Sequence, residues 1–437
     1  MSIFKRIFTV IVLLLGYGIV PLAEEYGYEE DNPPSVTSDY IYLIDIDNGQ
    51  VLWSMRGEDS MYPASLTKIM TAVLAIESLS DLEERIRITE DMWAGLVEEN
   101  ASVAGFYPGD EPTVRDLLYG VLLPSGADAV NALAVRISGS VSAFVDAMNR
   151  KAEELGMTST HFTNPTGLHN DSHVSSPNDL AVLMEYALQS GQFREILASR
   201  TYTSSPIASA PDGLVLNSTS WPLINDGPDT FSIPGYLGGK TGFTNPAGRC
   251  LASHAEFGGM HLVLISGHSW DYGHIMDATT VYNWFNDNYE RQTYLSEGTV
   301  LKNVAVIDSS RNAAFDAVVP ETRTMDLPKD AVIEVVTDVP DELTAPIQEG
   351  DDIGSLQVTA NGKLIYETRL SAPESFRYSR LMHAYNAAAA FHASHRFLFW
   401  VLCILAVFVL FVLAARIRIH IRRAKRRRRR KRKASRR

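Results

Sequence analysis

The chain has 437 residues, 46% apolar and 21% charged, enough for two or three domains that each bury a core, which excludes a disordered chain and a disulfide scaffold. Cys250, between strand-like segments, and Cys403, inside an apolar run, supply neither a disulfide framework nor a cysteine zinc site. The net charge of -13 averages unlike pieces: residues 1–23 carry only Lys5 and Arg6, residues 397–437 carry fifteen Lys or Arg and no acid, and residues 24–396 stand at -30, an acidic body that repels nucleic acid.

In chain order, Lys5-Arg6, an apolar stretch from Ile7 to Val20 and Pro21-Leu22-Ala23 form a secretory signal pattern over 1–23, with an uncleaved anchor as the alternative. Residues 24–38, acidic and with Pro33-Pro34, read as a flexible lead. Tyr40 to Ile46, then Asp47-Asn48-Gly49, then Gln50 to Trp53 predict a β-hairpin that opens the first large domain, 39–287. Helices are predicted over Leu66 to about Leu79, Val114 to Leu123 behind a Thr113/Asp116 capping pair, Phe144 to Leu155, and from Ser176-Pro177 onward. Strands return at Tyr236–Lys240, Arg249–Ser253 and His261–Ser266. The order implies an α+β fold, an antiparallel sheet built from both ends of the domain with helices inserted between.

Short β-rich runs then predict a small all-β domain over 288–374, including Leu356–Val358 facing Leu364–Tyr366 across Asn361-Gly362. An Ala-rich, partly amphipathic connector over 375–396 leads to Phe397–Ala415, 19 residues without charge. At about 1.5 Å per residue this run spans a hydrocarbon core as a transmembrane helix. The basic tail, 416–437, places the C-terminus in the cytoplasm and the acidic body outside, and reads as a topology lock and lipid contact rather than an RNA contact.

Tyr62-Pro-Ala-Ser65-Leu-Thr-Lys68 sets a serine at a helix N-terminus and a lysine one turn on, on the same face. A serine alcohol is a weak nucleophile, and a partly desolvated lysine with a lowered pKa is a base able to activate it. S-x-x-K alone is common on solvated helix surfaces. Here Ser125-Gly126-Ala127 follows at the junction of two helices, and Lys240-Thr241-Gly242 follows at the end of a strand.

Together these resemble the S-x-x-K, S-x-N and K-T-G motifs of penicillin-binding proteins and serine β-lactamases. Tyr62–Glu77, Leu122–Ala129, Asn164-Pro-Thr-Gly-Leu-His with His173 and Asp179-Leu180, and Lys240 to Cys250 resemble the low-molecular-mass D-alanyl-D-alanine carboxypeptidases, over about residues 35–285. Leu343 to Gly354 resembles the C-terminal β-domain of that family. The resemblance implies that Ser65 attacks the carbonyl between two D-alanines, Lys68 takes its proton and Ser125 relays a proton to the leaving amine. It implies that Lys240 and Thr241 hold the terminal carboxylate, that Gly242 keeps the strand edge open, and that the amides of Ser65 and Phe243 form the oxyanion hole. Its implied partners are the peptidoglycan stem peptide and β-lactams, with no metal or organic cofactor.

Ala127 departs from the motif, which has Asn there; losing that amide removes on the order of 1 to 3 kcal/mol of positioning. A weakly active or non-catalytic wall-binding homologue is therefore an alternative, as is D,D-endopeptidase or β-lactamase activity. Against the latter, the Leu216-Asn217 pair has Gly213 where a class A deacylating Glu belongs. His169, Asp171 and His173 are also readable as metal ligands, but the loop lacks a helical H-x-x-x-H with a catalytic Glu, which favours a structural loop.

Overall fold

Gly49 takes the positive φ of 72° that the tight turn between β1 (Tyr40–Asp45) and β2 (Gln50–Met55) requires. In the computed structural model, which describes residues 24–25, 28–221, 224, 231–310 and 313–434, this hairpin forms one side of a five-stranded antiparallel sheet. The remaining strands are β3 (Tyr236–Thr244), β4 (Gly248–Phe257) and β5 (Met260–Ser269), in the order β2-β1-β5-β4-β3. Both faces of the sheet are covered. Val263 and Ile265 of β5 pack with Tyr42, Cys250 and Ala252 toward the inserted helices, while Leu262 and Leu264 pack with Ile41, Leu43 and Leu251 on the other side. Successive side chains point to opposite faces, so a strand buried on both sides reads as an unbroken apolar run.

The inserted helices are α1 (Lys68–Ser78), α2 (Val114–Leu122), α3 (Ala127–Ser138), α4 (Val141–Glu154), α5 (Pro177–Leu188) and α6 (Gly191–Ala198). Their starts follow local chemistry. Thr113 and Asp116 form a reciprocal capping box at α2, and Ser176 accepts the Asp179 amide ahead of Pro177 at α5. Ser140 caps α4, so that helix begins three residues before the predicted Phe144. The chain passes from the sheet through α7 (Gly273–Asn288), on the face opposite the other helices, into β-rich structure at Tyr289.

Three predicted positions change. Lys240-Thr241-Gly242 lies within β3 rather than at a strand's end, because Phe243 and Thr244 continue the ladder opposite Arg249 and Gly248. β3, β4 and β5 all run longer than their predicted apolar runs, since backbone pairing carries polar residues along. Residues 28–38 are no flexible lead: Tyr28 is buried, the Glu30 amide donates to the Leu52 carbonyl, and Thr37 and Ser38 donate to the buried Asp277 carboxylate at 2.6–3.0 Å. The predicted signal segment, 1–23, lies outside the described residues.

Beyond Asn288 the strands pair into small sheets, one containing the hairpin Asp352–Ala360/Lys363–Ser371 turned by Asn361-Gly362, with Val358 opposite Tyr366 as the sequence pattern requires. The core on the α7 side of the main sheet runs without a break into this region through Tyr282, Phe285, Tyr289, Val304, Leu356 and Tyr366. α8 (Arg380–Ser394) buries no residue and is tied to it by His383 and Asn386, both bonded to Asp308. α9 (Arg396–Ala434) contains Phe397–Ala415 and is, among the described residues, the one helix long and apolar enough to cross a membrane.

Candidate active site

A 3-10 turn, Ala64–Thr67, carries Ser65 and runs directly into α1, whose first residue is Lys68. Three residues of helical rise return Lys68 to the same side, and its Nζ lies 2.9 Å from Ser65 Oγ. Ala64 enters the turn at φ 46°, a left-handed value that is strained for a residue with a Cβ. The loop Asn164–Leu168 holds it there. Gly167, itself at φ 80°, passes so close that a Cβ would stand 2.0 Å from the Ala64 carbonyl oxygen.

Lys68 is buried, and burial lowers its amine to about 7 against the opposing pull of Asp128. Its other partner is the Thr166 carbonyl at 2.5 Å, an obligatory acceptor. In the neutral amine one N–H is thereby committed to Thr166, and the lone pair is free to accept from the Ser65 hydroxyl. The loop that presents this carbonyl is built around Asn164, whose Oδ1 accepts from the amides of Thr166, Gly167 and Leu168 at 2.8–3.2 Å.

The second amine approaches from the sheet. Lys240, fully buried on β3, lies 2.9 Å from Ser125 Oγ and 2.8 Å from the Thr241 carbonyl. Burial, and then the nearby Lys68 charge, push it well below the ordinary lysine range. Among the described residues both amines bond to hydroxyls and carbonyls and to no carboxylate. Ser125 sits between α2 and α3 at φ 68°, a second strained residue at the same site. Thr241 is half-buried, and Phe243, 46% exposed, is covered by the Arg249 guanidinium 5.1 Å from its ring centre. At Gly242 an added Cβ would lie 3.1 Å from the Ser65 nitrogen, so glycine lets the sheet edge and the serine turn approach without displacing either by a few tenths of an ångström. The seven predicted site residues thus lie where β3 meets the serine turn and the junction of α2 with α3.

Ala127 is the buried first residue of α3; its amide donates to the Ser102 carbonyl at 2.7 Å, and its methyl group offers nothing to the groove. Asp128 does not substitute for the missing amide. Its buried carboxylate accepts from the backbone amides of Ala104, Gly105 and Phe106 at 2.7–2.9 Å. Of the three loop residues readable as metal ligands, His173 is buried between Thr67 and Thr163, while His169 meets the Tyr62 ring edge-on at 4.9 Å and Asp171 is exposed.

Sequence reasoning missed three contributors. Thr219 Oγ1 lies 2.6 Å from Thr241 Oγ1, and Ser220 donates to the Gly239 carbonyl; no spacing rule links this Ser-Thr-Ser run to β3. The Thr166 carbonyl is a backbone group, invisible to side-chain motifs. His173 stood in the stretch that carried the family resemblance and was readable as a metal ligand or a structural-loop residue, not as a partner of the serine turn.

A serine next to a desolvated lysine, in a groove that ends on a second buried lysine, is the arrangement of a serine acyl-transfer enzyme with an amine base. The family comparison agrees. The D-alanyl-D-alanine carboxypeptidase family profile matches residues 28–266, and the penicillin-binding protein 5 C-terminal domain profile matches 289–377. A D-alanyl-D-alanine carboxypeptidase of Bacillus subtilis strain 168 is 29% identical over 355 residues, 77% of this chain and 85% of the relative. The solved structure of penicillin binding protein 5 from Haemophilus influenzae aligns with a TM-score of 0.59 at 25% identity, over 80% of this chain and 100% of that one. The Streptomyces K15 DD-transpeptidase aligns with a TM-score of 0.52 at 29% identity, over 58% of this chain and 98% of that one. The chain belongs to the D-alanyl-D-alanine carboxypeptidase family: it is a serine-type D-Ala-D-Ala carboxypeptidase of the penicillin-binding protein fold, with the family's C-terminal all-β domain.

Proposed function

We propose that Ser65 is the nucleophile that removes the terminal D-alanine from peptidoglycan stem pentapeptides. The observation that carries this is the 2.9 Å contact between Ser65 Oγ and an amine held near neutrality by burial. Lys68 takes the hydroxyl proton as Oγ adds to the penultimate carbonyl. The amides of Ser65 and Phe243 stabilise the oxyanion. As the C–N bond breaks, Ser125 passes a proton to the departing D-alanine nitrogen, and water then hydrolyses the ester to regenerate Ser65. Lys240 and Thr241 hold the substrate's terminal carboxylate: a buried amine without a counter-ion gains most from an incoming anion. Gly242 lets the peptide lie along the edge of β3. Penicillins acylate the same serine.

The test is mass spectrometry of the full-length protein after benzylpenicillin, with D-alanine release measured from an acylated L-Lys-D-Ala-D-Ala. A penicilloyl adduct on the Ser65 peptide, absent in Ser65→Ala, is expected; an adduct that survives Ser65→Ala overturns the assignment. Ala127 supports a second reading, in which turnover is slowed by the missing amide. Ala127→Asn then raises D-alanine release about tenfold, the worth of one hydrogen bond to a charged or reacting group. Unchanged release removes that reading.

For the whole chain we propose a signal segment over 1–23, a catalytic domain over 39–287 that the ordered 28–38 segment closes, a β-domain over 288–374, a connector over 375–396 and a membrane helix over 397–415. The fifteen basic residues behind that helix support a cytoplasmic tail in contact with lipid, and an acidic body on the outer face of a bacterial cell membrane. Protease digestion that trims the tail only after the membrane is permeabilised is the expected outcome.

A further inference from the structure

His173 is 2% exposed and has a partner at each ring nitrogen. The Thr163 backbone N–H donates to Nδ1 at 3.0 Å, and Thr67 Oγ1 lies 2.7 Å from Nε2. A backbone N–H can only donate, so Nδ1 carries the lone pair; in the neutral ring the proton sits on Nε2 and is donated to Thr67. A doubly protonated ring would turn an N–H against the Thr163 N–H. Burial holds the imidazole down to about 4, and His161, His169 and Lys68 push the same way. Across the neutral range the ring therefore keeps one tautomer.

The two partners belong to different parts of the site. Thr67, fully buried, lies between Ser65 and Lys68 on the serine turn. Thr163 begins the loop whose Thr166 carbonyl takes the Lys68 proton donor. We propose that His173 is a positioning residue: its Nε2–H tautomer latches the serine turn to this loop, and so keeps the Thr166 carbonyl on Lys68 and water away from the amine. The inference rests on the serine–lysine reading above. It absorbs a histidine that the sequence left between a metal ligand and a structural role.

Substitutions separate the two halves of the latch. Gln places an amide near Nε2 and keeps the bond to Thr67; Asn reaches only the Nδ1 position and keeps the bond to Thr163. Thr67→Val keeps the shape of the turn and deletes the acceptor. Burial sets the Lys68 titration against the pull of Asp128 on α3, while Lys240 on β3 and His173 each feel the Lys68 charge. With Asp128 and Lys240 unchanged, a loosened latch lets water reach Lys68 and moves its titration back toward the ordinary lysine value.

The experiment is the pH dependence of benzylpenicillin acylation in the full-length protein, with thermal melts alongside. The parent is expected to gain rate as pH rises through about 7. His173→Asn and Thr67→Val are expected to move that limb upward by about one pH unit and to lower the rate at pH 7 about fivefold, the fall in free-base fraction when a base at about 7 moves up by one unit. His173→Gln is expected to retain the parental limb. If His173→Asn and Thr67→Val lower the melting temperature while the limb stays put, His173 only fills the core and the proposal is overturned. If the parent forms no adduct at Ser65, the serine–lysine reading falls, and this one with it.

Discussion

Among the described residues, the buried lysines of the active site and the half-buried Arg291 beside the main sheet are treated in opposite ways. In the groove, Lys68 and Lys240 are given hydroxyls and carbonyls, and both fall below the ordinary lysine range. Where the main sheet meets the β-rich region, Arg291 is ringed by Asp326 at 2.9 Å, Asp47 at 3.1 Å and Asp45, with the Asp45 and Asp326 side chains fully buried. Gln50 closes this cluster by exchanging bonds with the Asp326 backbone at 2.8 and 2.9 Å. Three carboxylates around one guanidinium leave excess negative charge, and burial together with Asp326 holds Asp45 above the usual carboxylate range. An unpaired buried charge is a reagent, because it is ready to give up or receive a proton or bind an anion; a surrounded one is a fastener.

That contrast is open to direct test. The largest effect is expected for Lys68→Gln, which removes the base while keeping a hydrogen-bonding side chain. Benzylpenicillin acylation is expected to fall by about 10²- to 10⁴-fold and to lose its rise through pH 7, with the melting temperature little changed. Next, Arg291→Ala strands two buried carboxylates. It is expected to lower stability by about 3 kcal/mol in denaturant unfolding and leave the acylation rate intact, because nothing in the groove touches it. A slowed reaction in that variant would mean the two regions are not independent.

Lys240→Met tests the converse. Replacing an unpaired buried amine by an apolar chain of similar length is expected to raise stability by about 1 kcal/mol while acylation is lost, a trade read by thermal melt and adduct yield. The smallest effect concerns pH. Asp45 is raised on folding, so between the usual carboxylate range and that raised value the native state holds a proton the unfolded chain has released. Its contribution to stability is therefore lost as pH rises through that window. Asp45→Asn, melted in parallel with the parent, is expected to show a shallower fall from pH 5 to pH 8.

The elements most legible in the sequence were those with local causes. The Asp47-Asn48-Gly49 turn, the Thr113/Asp116 capping box and the Ser176-Pro177 start each lie within a few residues of the structure they specify. The lead over 28–38 was misread because its partners, Leu52, Asp277 and Asn361, are distant in the chain and Pro33-Pro34 signals only the absence of regular structure. The extent of β3 was underestimated for the same reason: Lys240 to Thr244 has no alternation of its own and is extended by pairing with β4.

For the site, the sequence by itself determined which chemical groups are present. Serine and lysine one helical turn apart, a second serine between helices and a Lys-Thr-Gly segment are chemical identities that folding does not alter. Only the tertiary structure decided what those groups are. Burial brings Lys68 to about 7, the Thr166 carbonyl takes one of its N–H groups, Asp128 turns away to hold Ala104–Phe106, and His173 bonds to the serine turn and to Thr163. Desolvation and hydrogen-bond direction depend on everything that surrounds an atom, and those surroundings come from residues far apart along the chain.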